Sequence, residues 1–561
     1  MMFRDVRSIR VLVPVLALTL LPSCALLRAQ CAPPDRSSTP DAKFKIAGKV
    51  VSSLDGTPLG KARVSLIDTG NPANVVWMIT SENGHFEFAS LKSGKFSLEG
   101  AKQGFIPAAY EQHEQFSTAI VTGAGFNAEN LVLRLTPMAL LGGKVIDESG
   151  EPVRDARVML YVENHRGGVN RITPAGNSST DDQGSYEFAG LTPGNYFLSA
   201  VATPWYAVHP VFSPAESAGN SPPAVARSLD VAYPTTYYNG ATDADRATSV
   251  PIEGGAHLQI DIHLNPVPAL HLLIHVPDDD GQQGFGMPVF QKRVFDSLEY
   301  VQSEGPQLVA PGIYELTGVP AGRYSVQLRE PKSGQLHQSG EMDLVKDGQE
   351  LDTSHSEPAA RVKLSVKMPQ QEPFPKQFYL ALQDSRRQVV AYKAVDAAGE
   401  ATFEDLPAGK YTILVNSPTK RYSVVRAASQ GVESSGHDIN VTPGGSLDLA
   451  VFLVGGVVSV EGFAKRGDKP VAGVMVALVP KNPESHLELF RRDQSDFDGS
   501  FVLRGVIPGS YTIVAVEDAW GFEWLQPGVL GRYVQHGQNL TIGELMKGSV
   551  HLPDPVEVQP H

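Results

Sequence analysis

His113-Glu114 is the only adjacent His-Glu pair in the chain. A zinc-hydrolase helix needs a second histidine one turn later, and Phe116 and Ser117 stand there instead. A second group, His257, His263, His271 and His275, crowds one region. There Gln259, Asp261 and His263 alternate with Leu258, Ile260 and Ile262, as on the solvent face of a strand rather than in a metal cage. A metal-dependent hydrolase centred near His263 is the enzymatic alternative. Thr180-Asp181-Asp182, Asp278–Gly281 and Asp496–Gly499 are oxygen-rich, but a calcium loop needs further carboxylates at fixed offsets, and Asp-Gly is what a turn before a strand needs. The chain has no Gly-x-Ser-x-Gly elbow and no glycine-rich phosphate loop between a strand and a helix. The reading is therefore of no catalytic residue, no cofactor and no metal.

The aromatic side chains offer a different chemistry. Trp205 and Tyr206 open the longest insertion, Tyr237 and Tyr238 follow in Tyr233–Gly240, and Trp520 and Trp524 end the last repeat. Exposed rings stack on the C–H faces of sugars while neighbouring amides and acids take the hydroxyls. These six are the candidate ligand-binding residues. The competing reading is that they close the ends of hydrophobic cores, where aromatic rings contribute much burial energy.

What must position them is a frame that recurs five times. It starts at Gly84, Gly184, Gly312, Gly399 and Gly499, and a second glycine follows at 94, 194, 322, 409 and 509. Apolar residues fall at every second position on both sides: Tyr186 and Phe188 before the second glycine, Tyr196 and Leu198 after it. That is the period of a strand with one buried face. Between the strands stands Leu-Thr-Pro-Gly in repeat two and Val-Ile-Pro-Gly in repeat five. Each frame is expected to be a β-hairpin, with the second glycine taking positive φ in the turn. The spacing of the second glycines, 100, 128, 87 and 100, is that of β-sandwich domains.

The N-terminus reads as a signal peptide over residues 1–30. Arg4, Arg7 and Arg10 form a basic region, and Val11–Leu21 is apolar but too short to span a bilayer. Standard cleavage near Ala29-Gln30 is the favoured reading; Leu21-Pro22-Ser23-Cys24 resembles a lipoprotein box and makes Cys24, as candidate lipid anchor, the alternative. Both cysteines, Cys24 and Cys31, lie here, so no disulfide staples the domains. No later segment is long enough for a membrane helix. The net charge of −14 argues against nucleic acid as partner.

Repeat one covers 44–137 and repeat two 138–266, with the long insertion. Repeats three (267–357) and four (358–454) have divergent openings. Repeat five covers 455–545, and 546–561 reads as a tail. Gly143-Lys144-Val145, Pro152-Val153, then Ala156, Val158 and Leu160 open repeat two, and repeats one and five open alike. With a closing strand such as Leu258–Leu264, each unit has six or seven strands, enough for two packed sheets.

The order Gly-x-Val, Gly-x-Pro-Val, Ala-x-Val-x-Leu, Asp-x-x-Gly-x-Tyr-x-Phe and Pro-Gly-x-Tyr resembles the carboxypeptidase regulatory-like domain, well in repeats one, two and five and partly in three and four. The resemblance implies an all-β fold of tandem Ig-like or transthyretin-like β-sandwich domains, also classed with carbohydrate-binding-like folds, and a non-catalytic accessory or adhesive role. The expectation is an exported cell-envelope protein, secreted, periplasmic or outer-membrane associated, with its domains in series. It binds polysaccharide or a cell-envelope protein; a purely structural spacer is the bland alternative.

Overall fold

In the computed structural model, the described residues are 44–561 apart from 166, 212–227, 276–287, 302–304, 330–335, 353–355, 430, 431, 435 and 527. The signal peptide, Cys24, Cys31 and the Asp278–Gly281 turn lie outside the described residues.

Each frame does form two strands. After the first glycine come His85–Leu91, Ser185–Leu191, Ile313–Val319, Glu400–Leu406 and Ser500–Val506. From the second glycine run Gly94–Ala101, Gly194–Val201, Gly322–Arg329, Gly409–Asn416 and Gly509–Val516. The hairpin expectation is corrected here, because the two strands do not pair with each other. His85–Leu91 pairs with Phe44–Ser52, whereas Gly94–Ala101 pairs with Arg63–Asp68. The other four repeats divide their frames in the same way. In repeats one to four the turn is thus a corner that carries the chain from one sheet to the other, and in repeat five Val556–Gln559 pairs with both sides and joins them as one sheet. Both apolar faces then look into one core: in repeat one, Phe86 and Phe88 from one side meet Phe96 and Leu98 from the other.

The corner also relocates the positive φ. The second glycines are absent from the left-handed region, which is entered four residues earlier, at Ser90, Gly190, Gly318, Asp405 and Gly505, with φ of 57–73°. At that point the partner strand shifts register in all five repeats. The shift marks a β-bulge, which bends a strand away from its neighbour. The second glycine serves space instead: a Cβ on Gly322 would sit 3.1 Å from the Tyr324 ring. That ring then pins the corner. The hydroxyls of Tyr196, Tyr324, Tyr411 and Tyr511 donate to the carbonyls of Thr192, Pro320, Pro407 and Ile507, four residues back, at 2.6–2.9 Å. Burial pushes the Tyr411 and Tyr511 hydroxyls up to about 12, so they remain donors at any ordinary pH. Repeat one has Phe96 here, and the Thr122 hydroxyl caps the equivalent Lys92 carbonyl at 2.7 Å.

Each sandwich is closed by a parallel pair between its first and last strands, as in Phe44–Ser52 with Ala128–Pro137 and Ala360–Lys367 with Ser446–Gly455. Residues 546–561, expected as a tail, instead complete repeat five. Gly548–His551 and Val556–Gln559 pair parallel to Val458–Arg466, and Val556 and Val558 are buried. The reason is hydrophobic: without them the Val458 strand would leave one edge unpaired and one face uncovered.

The repeats are not separate beads. Residues 43–561 form one compact unit. Repeat two meets repeat three through a buried cluster of Met159, Tyr161, Tyr237, Ala244 and Val294. The first repeat also docks on the fifth, which a series of domains does not foresee. Phe497 packs into the core of repeat one, and its N–H donates to the Ala119 carbonyl at 3.0 Å.

Candidate functional site

The six aromatic candidates separate into three places. Trp205 is 88% exposed and meets Tyr206 edge-on, with ring centroids 5.8 Å apart. Tyr206 is anchored: its hydroxyl donates to Glu148, which also accepts from Tyr233 at 2.9 Å. Tyr237 is fully buried at the junction of repeats two and three, edge-on to Phe295 at 5.7 Å. It cannot act as a surface platform, because the insertion folds back and uses its ring as core. Tyr238 is half-buried against the core of repeat two.

Trp520 and Trp524 are half-buried on the outer face of repeat five, with Phe490, Leu530 and Tyr533. Trp520 donates through Nε1 to the Gly473 carbonyl at 3.1 Å and stacks on His113 of repeat one. The Arg492 guanidinium lies 4.4 Å from the Trp524 ring centre and forms an ion pair with Glu114 of repeat one at 2.8 Å. His113-Glu114, weighed above as a metal pair, is therefore engaged in the contact with repeat five. Its Nδ1 lies 3.1 Å from Gln494 Oε1, and Gln494 is buried.

Beside Trp524 opens a cavity of about 560 Å³. Trp524, Phe490 and Leu530 form its apolar wall, and Thr512, Asn539 and Thr541 lie along it with polar groups. Thr512 donates to Asn539 Oδ1 at 3.0 Å, which fixes the amide. Cavities of this size with an aromatic wall and a few polar groups are typical small-ligand sites. Asn539 and Thr541 belong to Gln538–Ile542, which pairs with Gly509–Val516, so the rim is carried on a strand. Neither this strand nor its place beside Trp524 is foreseen from the sequence.

The histidine-rich region resolves differently from the strand-face reading. His257 and His263 are exposed on the closing strands of repeat two, as that reading requires. His271 is buried. Its Nε2 lies 2.5 Å from Asp230 Oδ2 and its Nδ1 3.0 Å from Glu315 Oε1, while His209 reaches the other Asp230 oxygen at 2.9 Å. Burial opposes the charge on His271, but the bonds to Glu315 and Asp230 outweigh it and raise its pKa above the ordinary value. The side chains of His209, His271 and Glu315 are at most 3% exposed, so the network ties the repeat-two insertion to repeat three.

The two described aspartate-rich segments spend carboxylate oxygens on backbone N–H groups. Asp181 Oδ1 accepts from the N–H groups of Gln183 and Ser185, both at 2.8 Å. Asp496 Oδ1 accepts from the Ala119 N–H of repeat one at 3.1 Å. A further grouping, which linear spacing could not have suggested, joins His437 of repeat four to His486 and Glu488 of repeat five.

Comparison with known proteins agrees with the resemblance seen in the sequence. Residues 45–126 and 141–212 match the carboxypeptidase regulatory-like domain, in two tandem copies. Residues 451–530 match the second β-sandwich domain of the NOMO1-like subunit of the BOS complex. These are repeats one, two and five. Among curated proteins, the chain is 22% identical over 509 residues to Colossin-A of Dictyostelium discoideum. The match covers 80% of this chain and 4% of Colossin-A, so the chain spans a small part of that relative. Among solved structures, the Bacillus anthracis TIE protein is 12% identical, covering 74% of this chain and 76% of its own, with a TM-score of 0.17. A streptococcal ancillary pilin is 12% identical, covering 55% of this chain and 98% of its own, with a TM-score of 0.20. Among the described residues, no helix is long and apolar enough to cross a membrane.

Proposed function

We propose that this chain is an exported, non-catalytic protein of the cell envelope that holds a saccharide in the cleft beside Trp524. Export rests on the basic region and the apolar run Val11–Leu21. The non-catalytic reading is supported by the domain types matched in repeats one, two and five, and by the engagement of His113, Glu114 and His271 in contacts between repeats. The observation that carries the binding reading is the 560 Å³ cleft, with an indole wall and an amide held in place by Thr512. An indole face takes the apolar side of a pyranose, and the amide and hydroxyls take its O–H groups.

Affinity electrophoresis of the purified protein through gels containing soluble polysaccharides tests this. Retardation is expected on at least one polymer, weakened about tenfold in Asn539→Ala and Trp524→Ala and unchanged in Trp205→Ala. Asn539 is exposed, so its loss leaves the fold intact. Retardation lost only in Trp205→Ala would move the site to the insertion of repeat two and refute the cleft. No retardation on any polymer would favour the spacer, which the packing of Tyr237 and Trp520 between repeats supports.

A further inference from the structure

We propose that His437, His486 and Glu488 form a binding site for a zinc-class divalent cation that clips repeat four to repeat five. The proposal is independent of the saccharide cleft.

The three residues come from two repeats. His437 immediately precedes Asp438–Val441, the edge strand of one sheet of repeat four, and its carbonyl accepts from the Ile413 N–H at 2.8 Å. His486 and Glu488 lie on the connection between Met475–Pro480 and Arg491–Gln494, at the short turn Leu487–Leu489. Each offers a ligand atom, and these atoms lie within 4.8 Å of one another. The imidazoles meet edge-on, with 5.6 Å between centroids, and His486 Nδ1 is 3.5 Å from Glu488 Oε1. Ligand bonds of about 2.0–2.2 Å in a tetrahedral site put neighbouring donors roughly 3.3–3.6 Å apart, so this pair already has the spacing of two ligands on one zinc ion. The His486 side chain is 42% exposed.

A second observation points to a ligand. His437 has 14% of its side chain exposed, and its Nδ1 is buried without a hydrogen-bond partner. Its Nε2 is 3.7 Å from Asp438 Oδ1, too far for a hydrogen bond. A buried imidazole nitrogen left without a partner is costly unless something else coordinates it. The surroundings also fit. Glu488 Oε1 accepts from Ser423 of repeat four at 3.0 Å, which orients the carboxylate. The cation nearest in sequence, Arg491, gives its donors to the carbonyls of Glu488, Phe490 and Gly505 and leaves the Glu488 carboxylate to others. Two imidazoles and one carboxylate suit zinc, with the fourth position left to water. Calcium and magnesium want all-oxygen sets.

Isothermal titration of the chelator-treated protein with zinc chloride tests the site. The wild type is expected to bind one equivalent more than His486→Gln and His437→Ala, and to lose at least tenfold in affinity for that equivalent in Glu488→Gln. Calcium and magnesium should give no such binding, and His551→Ala, at a histidine 75% exposed elsewhere on repeat five, should titrate as wild type. The exposed His486→Gln change keeps the test valid if His437→Ala does not fold. Equal zinc stoichiometry in wild type and His486→Gln, or no zinc bound by the wild type, would overturn the proposal.

Discussion

The imidazole of His113 in repeat one lies flat on the indole of Trp520 in repeat five, with ring centroids 5.1 Å apart and planes 6° from parallel. Phe116 tilts against the same indole at 5.5 Å. This stack is one part of a contact that also holds the Arg492–Glu114 ion pair and the Gln494 bonds to Thr118 and the Glu111 carbonyl, at 2.8 and 2.6 Å. The two repeats lie nearly four hundred residues apart in the chain, so their contact closes the unit.

If the stack couples the repeats, His113→Ala and Trp520→Ala should not be additive. A double-mutant cycle read by urea unfolding is expected to give a coupling of about 0.5–1.5 kcal/mol, the usual range for aromatic pairs. Additive losses would mean that the two rings touch without cooperating.

The tyrosine corners make a second prediction. Tyr511→Phe leaves the buried Ile507 carbonyl without its donor and should cost about 1 kcal/mol in urea unfolding. The converse change in repeat one, Phe96→Tyr, should bring no gain, because Thr122 already occupies the Lys92 carbonyl. A stabilised Phe96→Tyr protein would show that the corner carbonyl there is unsatisfied.

The His271 network makes the junction of repeats two and three sensitive to pH. Its pKa is raised in the folded state, so the stability it supplies is fully present below the ordinary histidine value near 6.5 and is lost as the pH rises through the folded-state value. The difference in melting temperature between wild type and His271→Gln should therefore be largest at pH 6 and shrink toward pH 9. A difference that does not change with pH would contradict a charged imidazole between Asp230 and Glu315.

The frame itself shows how much the sequence discloses. Alternation at Tyr186, Phe188, Tyr196 and Leu198 revealed which residues are buried, and all four are. It could not reveal that the two strands cross between sheets, because period two specifies a face and not a neighbour. The bulge positions hold glycine at 190, 318 and 505, yet Ser90 and Asp405 adopt the same conformation, so composition alone does not mark the site. Trp524 stands among the aromatic candidates, but its cleft depends on Asn539 and Thr541, from a strand whose neighbours alternation does not name. One signal of the contact between repeats one and five was available. Phe497 puts an aromatic ring in a turn where Glu82 and Asp182 stand in the corresponding repeats, and a ring in an exposed turn calls for a partner.

Docking of the first repeat on the fifth is the central claim of this account, and a zero-length cross-link tests it most directly. Lys95 Nζ of repeat one lies 2.7 Å from Asp496 Oδ2 of repeat five, a pair that carbodiimide converts to an amide. Lys45 and Glu87, 3.1 Å apart within repeat one, serve as the internal control. Mass spectrometry of the digested monomer is expected to find both linked peptides. A linked Lys45–Glu87 peptide without the Lys95–Asp496 peptide would show that the two repeats do not dock in solution.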